Sequence, residues 1–270
     1  MSLALRSPAV AGLFYPANAR DLAASLAIML GGAHVADGAR PRPKALVVPH
    51  AGYIYSGPIA ASAYALLTSL RDTIRHVVLL GPCHRVAVRG LAIPSVDAFV
   101  TPLGTVPLDR DALDAAASLP QVGISDAAHA PEHSLEVHLP FLQTVLSNFS
   151  LAPFAVGQAS AQEVAEVLDL LWGGPETLIV ISSDLSHYLP YAVAQSIDHQ
   201  TSAQILQLAP LASHEQACGA TPINGLLQVA RQRGLTPELL DLRNSGDTAG
   251  DKSRVVGYGA FAFSEGADHE

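Results

Sequence analysis

The sequence contains few cysteines, few lysines and no long apolar run. Its 270 residues include two cysteines, Cys83 and Cys218, and two lysines, Lys44 and Lys252. Two cysteines cannot build the disulfide framework of a small secreted domain. No apolar run reaches the roughly 18 residues that a membrane-spanning helix needs, and the N-terminus lacks the ordered regions of a signal peptide. We therefore expect a cytoplasmic protein that does not associate with membranes.

The charge balance argues against nucleic acid as a primary partner. The formal net charge is −9, and no stretch gathers arginine and lysine into a basic face. Binding to nucleic acid depends on such residues to neutralise phosphates. Hydrophobic residues make up 49% of the chain, which is ample for a large core. No repeat, low-complexity segment or linker divides the chain, so we expect a single domain over residues 1–270.

Helical and strand patterns alternate along the chain. Three short β runs are apolar throughout, which is typical of strands covered on both faces. The pattern predicts an α/β fold with a mixed, mostly parallel central sheet covered by helices on both faces, and residues 86–108 indicate an antiparallel portion. The predicted strands are 45–48, 76–80, 151–157, 177–182 and 254–263, and the predicted helices are 20–30, 57–70 (Pro58 in the first turn), 109–118, 134–148 (a kink or break at Pro140), 161–171, 191–208 and 222–233.

Three of the apolar runs lead into a histidine. "ALVVPH" ends on His50, "HVVLLGPCH" on His84 and "TLIVISSDLSH" on His187. In open α/β sheets, sites form in the crevice outside the carboxyl ends of the strands, so these three side chains can converge. A lone histidine at a strand end is more often structural. Three of them, flanked by proline or glycine, favour a shared site, and neutral imidazole is the commonest protein metal ligand.

The segment "PEHSLEVHLPF" adds further polar groups in apolar surroundings. His133 and Glu136 are three residues apart and could share a helix face, while Glu132 and His138 flank them. The simpler interpretation is that Ser134 caps a helix there.

Two other residues stand close to the predicted site. Asp184 precedes His187 by three residues and could orient its ring or tune its pKa, although a turn or capping aspartate has the same spacing. Cys218 precedes Gly219 at the start of a predicted helix, where the helix N-terminus would lower the thiol pKa and favour the metal-binding thiolate. The simpler interpretation of Cys218 is a small buried hydrophobe.

Six motifs in one order resemble a known family. They are "PHAGYIYSG", "GPCH", "EHSLEVHLPFLQ", "SSDLSHY", "CGATPI" and "NSGDTAGDKSRVVGY", preceded by "SPAVAGLFYPAN". Together they resemble the Memo family, known in bacteria and archaea as AmmeMemoRadiSam system protein B. The fold of that family is similar to that of class III extradiol ring-cleaving dioxygenases, which use non-haem Fe(II).

The resemblance implies a role for particular residues. It places His50, His84 and Cys218 at metal-binding positions and His187 at the position of the acid–base catalyst. It places Asp184 in the same pocket. The predicted substrate-binding residues are Phe14, Tyr55 and His133.

The chain departs from the pattern that the resemblance implies at two positions. Cys218 stands where the dioxygenases have a carboxylate, and thiolate is soft enough for copper or zinc as well as iron. We therefore expect one mononuclear metal ion, with Fe(II) favoured and copper or zinc as alternatives. Cys83, before His84, stands where many members are expected to have serine or asparagine; it could be an added ligand, a redox partner of Cys218 or a tolerated change.

Three functional hypotheses follow. The first is a metal-dependent redox protein that acts on an unidentified small molecule. The second is an adaptor whose pocket binds a phosphopeptide or another anion, although few arginines lie near the motifs apart from Arg85 and phosphate recognition normally favours arginine clusters. The third is a hydrolase that uses Cys218, or Ser183 or Ser186 with His187, but no nucleophile-elbow pattern supports the serine version. The family name also implies radical SAM and AMMECR1-type partner proteins.

Overall fold

The computed structural model of the chain describes residues 3–33 and 41–266, and a nine-stranded sheet runs through its centre. The strands are β1 (Leu5–Arg6), β2 (Pro43–Val48), β3 (His76–Pro82), β4 (Leu91–Ile93), β5 (Ala98–Thr101), β6 (Gly104–Pro107), β7 (Val122–Ile124), β8 (Ser150–Val156), β9 (Thr177–Ser182), β10 (His187–Leu189), β11 (Thr236–Asn244) and β12 (Val255–Ser264). The helices are α1 (Ala19–Gly31), α2 (Tyr53–Tyr64), α3 (Arg110–Ala116), α4 (Asp126–His129), α5 (Leu139–Val145), α6 (Ala161–Leu170), α7 (Tyr191–Leu206), α8 (Ala220–Arg233) and α9 (Ser245–Thr248), with 3₁₀ turns at Ala65–Leu70 and Glu136–His138.

The centre of the sheet is parallel and its flanks are antiparallel. Its order is β10-β12-β2-β9-β3-β8-β4-β7, and β11 also pairs with β12. Strands β2, β9, β3 and β8 run parallel, whereas β12 is antiparallel to β2 and β4 is antiparallel to β8. Strands β1, β5 and β6 form a separate three-stranded sheet. The predicted mixed sheet is confirmed, and β5 and β6 form an antiparallel hairpin within the region predicted to hold one.

Helices cover both faces of the parallel centre. Every residue of β2 and β9 is buried, so both sets of alternating side chains are shielded from water. Helix α2 packs on β2 and β12 and contacts α1 and α5, while α8 packs on β3 and β9 and contacts α6. This arrangement confirms the predicted α/β class. In the described ranges, no helix is both long and apolar enough to cross a bilayer.

Two predicted helices differ from the structure. Helix α2 begins at Tyr53, so Pro58 lies inside it and not in its first turn, and its last part tightens into a 3₁₀ turn. The predicted helix over 134–148 is reduced to a 3₁₀ turn and α5. Pro140 stands at the start of α5, where a missing N–H costs no helical hydrogen bond. Ser134 does not cap that helix, because its Oγ donates to the carbonyl of Pro82.

Strand β11 was not predicted. Its residues, "TPELLDLRN", include Pro237 and three charged side chains, and most of the strand is only half-buried. It pairs with β12 alone. A partly exposed strand at an edge lacks the continuous apolar run that identified the central strands.

Candidate metal centre and its pocket

Three neighbouring strands end at one point of the sheet. His50 follows β2 by two residues, Asp184 follows β9 by two and His84 follows β3 by two. Strand β9 lies between the other two, and the register pairs Val48 with Ser182, which puts the strand ends at the same level. The rings of His50 and His84 consequently lie 5.3 Å apart, centroid to centroid.

A third imidazole joins this pair from the segment after α4. The ring centroid of His133 lies 5.4 Å from that of His50 and 4.8 Å from that of His84. One ring nitrogen from each of the three residues can be chosen so that all lie within 4.8 Å of one another. This cluster could hold a metal ion. The sequence predicted His133 in the pocket as a substrate-binding residue, and the structure places it among the candidate ligands.

The hydrogen bonds of His50 determine which nitrogen is free. Its Nδ1 lies 2.6 Å from the Oγ of Ser182, and that hydroxyl donates its proton to the carbonyl of Ser134 at 2.6 Å. Because a hydroxyl has one proton, Ser182 must accept from Nδ1–H, so Nε2 of His50 carries the lone pair. Burial, together with the neighbouring histidines, holds the pKa of His50 well below its usual value. His50 is therefore a neutral imidazole, the form that binds metal.

Glu132 orients the other two rings. This buried carboxylate accepts hydrogen bonds from the backbone N–H of His84 at 2.6 Å and from its Nδ1 at 2.9 Å, and it lies 3.3 Å from Nδ1 of His133. Burial alone would raise the pKa of Glu132. The hydrogen bonds that it accepts, chiefly from His84, outweigh burial and lower this pKa to about 2. An ionised carboxylate can only accept, so His84 donates from Nδ1 and its Nε2 is free to coordinate.

Cys218 approaches His50 from a neighbouring segment. Its Sγ lies 3.4 Å from Nε2 of His50. A tetrahedral ion bonded to both atoms would separate them by about 3.6 Å, given bond lengths of about 2.3 Å to sulfur and 2.05 Å to nitrogen. The pair therefore fits a shared metal. The three imidazoles form the ligand cluster that the structure brings within 4.8 Å. Cys218 adjoins this cluster at His50, and the set of His50, His84 and Cys218 is the one that the resemblance implies.

The predicted low thiol pKa of Cys218 is wrong for the protein alone. Burial, followed by the nearby carboxyl group of Asp184, raises the pKa of this thiol to about 12. Helix α8 does begin two residues later, at Ala220, but the loss of solvent outweighs its N-terminus. A metal ion would reverse this, because a coordinating thiol is deprotonated outright.

His187 lies in the same pocket as a free base. Its Nδ1 donates to the carbonyl of Leu185 at 2.8 Å, so Nε2 carries the lone pair, and burial lowers its pKa. Leu185, rather than Asp184, orients this ring. Asp184 instead accepts the backbone N–H of His50 at 2.7 Å, and burial raises its pKa to about 7.

The pocket around these groups is a cavity of about 610 Å³. Phe14 and Tyr55 line it as predicted, together with Tyr188 and Tyr258. The ring of Phe14 lies 4.9 Å from that of His133. The loop that leads to β12 also lines the cavity, through Gly250, Asp251 and Arg254. These walls suit a small planar molecule bound beside the histidines.

A second cavity of about 1090 Å³ adjoins the first and shares His84, His187 and Tyr188 with it. Cys83 and Cys218 line this second cavity. The Sγ of Cys83 donates to the carbonyl of Val86 at 3.2 Å, and burial raises its pKa. The structure thus places Cys83 as a protonated thiol on the far side of His84 from the first cavity.

The sequence did not assign the two residues that orient the imidazoles. Ser182 is the one polar residue after the first position of an otherwise apolar β9, and Glu132 directly precedes His133. The sequence does show a hydroxyl at the end of a buried strand and a carboxylate next to a histidine. It does not show which residues they bond to, since His50 is 132 residues from Ser182.

We expect Glu132→Gln to weaken metal binding about 10- to 100-fold, the usual effect of removing an outer-shell partner. The NH₂ group of glutamine cannot accept a hydrogen bond, so one of the N–H donors that now bond to the carboxylate would lose its acceptor. The rings of His84 and His133 would then be held less firmly. The measurement is metal affinity by chelator competition, with the exposed Glu166→Gln of α6 as the matched control. An unchanged affinity would contradict the orienting role.

Comparison with known proteins identifies relatives over nearly the whole chain. The profile of the family described as "Memo-like protein" matches residues 6–262. A "MEMO1 family protein" of Aquifex aeolicus (strain VF5) is 34% identical over 271 residues, covering 96% of this chain and 99% of that protein. Another, of Ignicoccus hospitalis, is 36% identical over 283 residues, covering 96% and 98%.

A solved structure shares the fold. It is the "uncharacterized protein JW3007 from Escherichia coli K12", with a TM-score of 0.54, 14% sequence identity and coverage of 81% of this chain and 99% of that one. At this identity the likeness concerns the fold alone.

Proposed function

This chain belongs to the family of Memo-like proteins, and we propose that it is a metal-dependent redox protein with one mononuclear metal ion, Fe(II) or else copper, at His50 and His84. The observation that carries the proposal is the arrangement of the imidazoles. The Nδ1 atoms of both residues are held by Ser182 and Glu132, and their Nε2 atoms are left as lone-pair donors. His133 or Cys218 supplies the third ligand.

The remaining pocket residues have separate roles in this proposal. When bound, the metal supplies redox chemistry and open coordination positions for a small molecule. His187 receives or returns a proton at Nε2, because its Nδ1 is occupied by a carbonyl. Asp184 holds the backbone that carries His50. Phe14 and Tyr55 orient the substrate against the imidazoles.

The hydrolase alternative receives little support from the geometry. Ser183 and Ser186 are both fully buried, so neither hydroxyl reaches a substrate. The raised pKa of Cys218 leaves a thiol in place of a thiolate, and the depressed pKa of His50 makes that ring a poor base. Nucleophilic catalysis by a cysteine needs a thiolate and a neighbouring histidine that readily takes up a proton.

The test is elemental analysis of protein prepared without chelator or histidine tag, before and after anaerobic loading with Fe(II). Near-stoichiometric iron or copper is the expected result. No metal in either preparation would refute the proposal.

Radical SAM and AMMECR1-type partners are proposed from family membership alone, and co-purification of the tagged partner domains with this chain would test them.

For the proposed acid–base role, we expect His187→Gln to retain metal and to lower the rate of O₂ consumption with catechol-like compounds about 10²- to 10⁴-fold, the usual contribution of a general acid or base. Glutamine keeps a donor toward Leu185 but cannot take up a proton. His199→Gln, at an exposed histidine on α7, is the control. Equal rates in both variants would rule out this role.

A further inference from the structure

Two arginines stand at the candidate pocket with their charges largely uncommitted. Arg85 and Arg254 both line the cavity and are exposed. Within the part of the chain that the structure describes, the side chain of Arg85 makes no hydrogen bond or ion pair, and Arg254 lies over the ring of Tyr188 at 5.2 Å. By contrast, Arg233 and Arg243 are each paired with a carboxylate. The pocket therefore holds cationic groups that no described residue neutralises.

The two acids that line the pocket are engaged elsewhere. Asp184 is buried and accepts the backbone N–H of His50 at 2.7 Å, and the exposed Asp251 accepts the backbone N–H of Ser253 at 2.8 Å. Among the described residues, neither acid forms an ion pair with Arg85 or Arg254. In a chain of net charge −9, two guanidinium groups at one pocket favour an anionic ligand at this place.

The walls of the pocket restrict the shape of its ligand. Four aromatic side chains surround it, and its volume of about 610 Å³ falls in the range of small-molecule sites, roughly 300–1,000 Å³. Arginine binds planar oxyanions through its forked N–H donors, and aromatic rings pack against the faces of planar ligands. The pocket therefore combines side chains that pack against a ring with side chains that bind an anion.

We infer that the pocket binds a small aromatic molecule that carries an oxyanion, a carboxylate or a phosphate, with the acidic group at Arg85 and Arg254 and the ring against Phe14 and Tyr55. This inference deepens the proposed function by naming its substrate class, and it rests on that function only for the metal at the histidines. A cavity of this volume with aromatic rings in its walls favours a small molecule over an extended peptide.

The test is calorimetric binding of two probes that differ only in charge, 4-hydroxybenzoate and 4-hydroxybenzamide, to the Zn²⁺-loaded and metal-free protein. We expect the acid to bind at least ~10-fold more tightly than the amide, as a charge-assisted arginine contact implies. Arg85→Ala should remove most of this preference and Arg254→Ala part of it. Arg89→Ala is the matched control, because this exposed arginine lies four residues from Arg85 and outside the pocket lining.

Equal binding of acid and amide, or equal behaviour of Arg85→Ala and Arg89→Ala, would overturn the inference. Phenyl phosphate in place of the benzoate identifies which oxyanion is preferred. A phosphotyrosine peptide that binds much more tightly than phenyl phosphate would also overturn it, in favour of a peptide ligand. Acid preference in a protein that takes up no metal would refute the proposed function alone, whereas metal uptake without acid preference would refute this inference alone.

Discussion

Replacing His50 with alanine is expected to abolish stoichiometric metal binding and to weaken any residual binding more than ~100-fold, since loss of an outer-shell partner alone costs about 10- to 100-fold. His50 belongs both to the cluster of three imidazoles and to the ligand set that the resemblance implies. It is 2% exposed, and its Nε2 lies 3.4 Å from the Sγ of Cys218. The hydrogen bond from its Nδ1 to Ser182 fixes the ring with Nε2 as the lone-pair donor.

The measurement is metal content by elemental analysis together with affinity by chelator competition, with circular dichroism to establish folding. His199→Ala is the control, since that residue is an exposed histidine on α7. A His50→Ala protein that retains the metal content of the wild type would contradict the proposed centre.

The same assay separates the two ligand sets. Loss of metal in His133→Ala with retention in Cys218→Ser would assign the three imidazoles. The reverse result would assign His50, His84 and Cys218, the set implied by the resemblance. His84→Ala should lose metal in either case, because its ring is common to both sets.

Replacing Glu136 with glutamine is expected to reduce the free energy of unfolding by about 3–5 kcal/mol, the usual cost of breaking a buried ion pair from one side. Glu136 is completely buried. It accepts from Nη1 of Arg6 at 2.6 Å, from the hydroxyl of Tyr15 at 2.6 Å, and from the backbone N–H groups of Ala9 and Val10 at 2.7 and 3.0 Å. The substitution leaves the buried guanidinium of Arg6 without its counter-ion.

Unfolding in urea measures this effect, and Asp169→Asn provides the control. Asp169 pairs with Arg233 on the surface, where such pairs contribute about 0–1 kcal/mol. The double variant Arg6→Met/Glu136→Leu should regain only part of the loss, because it removes the unpaired guanidinium but leaves the Tyr15 hydroxyl and the N–H groups of Ala9 and Val10 without an acceptor. A Glu136→Gln protein within about 1 kcal/mol of the wild type would show that the pair is not structural.

The same ion pair connects the N-terminal segment with the metal centre. Arg6 also donates from Nη2 to the carbonyl of Glu132 at 2.7 Å and from Nε to that of His129 at 2.8 Å. Glu132 in turn orients His84. The segment before α1 therefore holds the backbone on which one candidate ligand depends, and it also brings Phe14 to the pocket wall.

The sequence by itself determined the fold class and the approximate place of the site. The continuous apolar runs of β2, β3 and β9 predict strands buried on both faces, because a strand exposed on one face alternates. Each run leads to a polar side chain at its carboxyl end, and in an open α/β sheet that edge is where sites form. The sequence alone therefore predicts that His50 and His84 lie together.

Only the tertiary structure decided which other groups meet them. His133 comes from a segment with no strand of its own, and Glu136 meets Arg6 across 130 residues of sequence. The free nitrogen of His50 follows from a hydroxyl 132 residues away. Local periodicity records which face of an element is buried, but contacts between distant segments depend on strand order and register. For the same reason, Arg85 and Arg254, which are 169 residues apart in sequence, line one pocket only after folding.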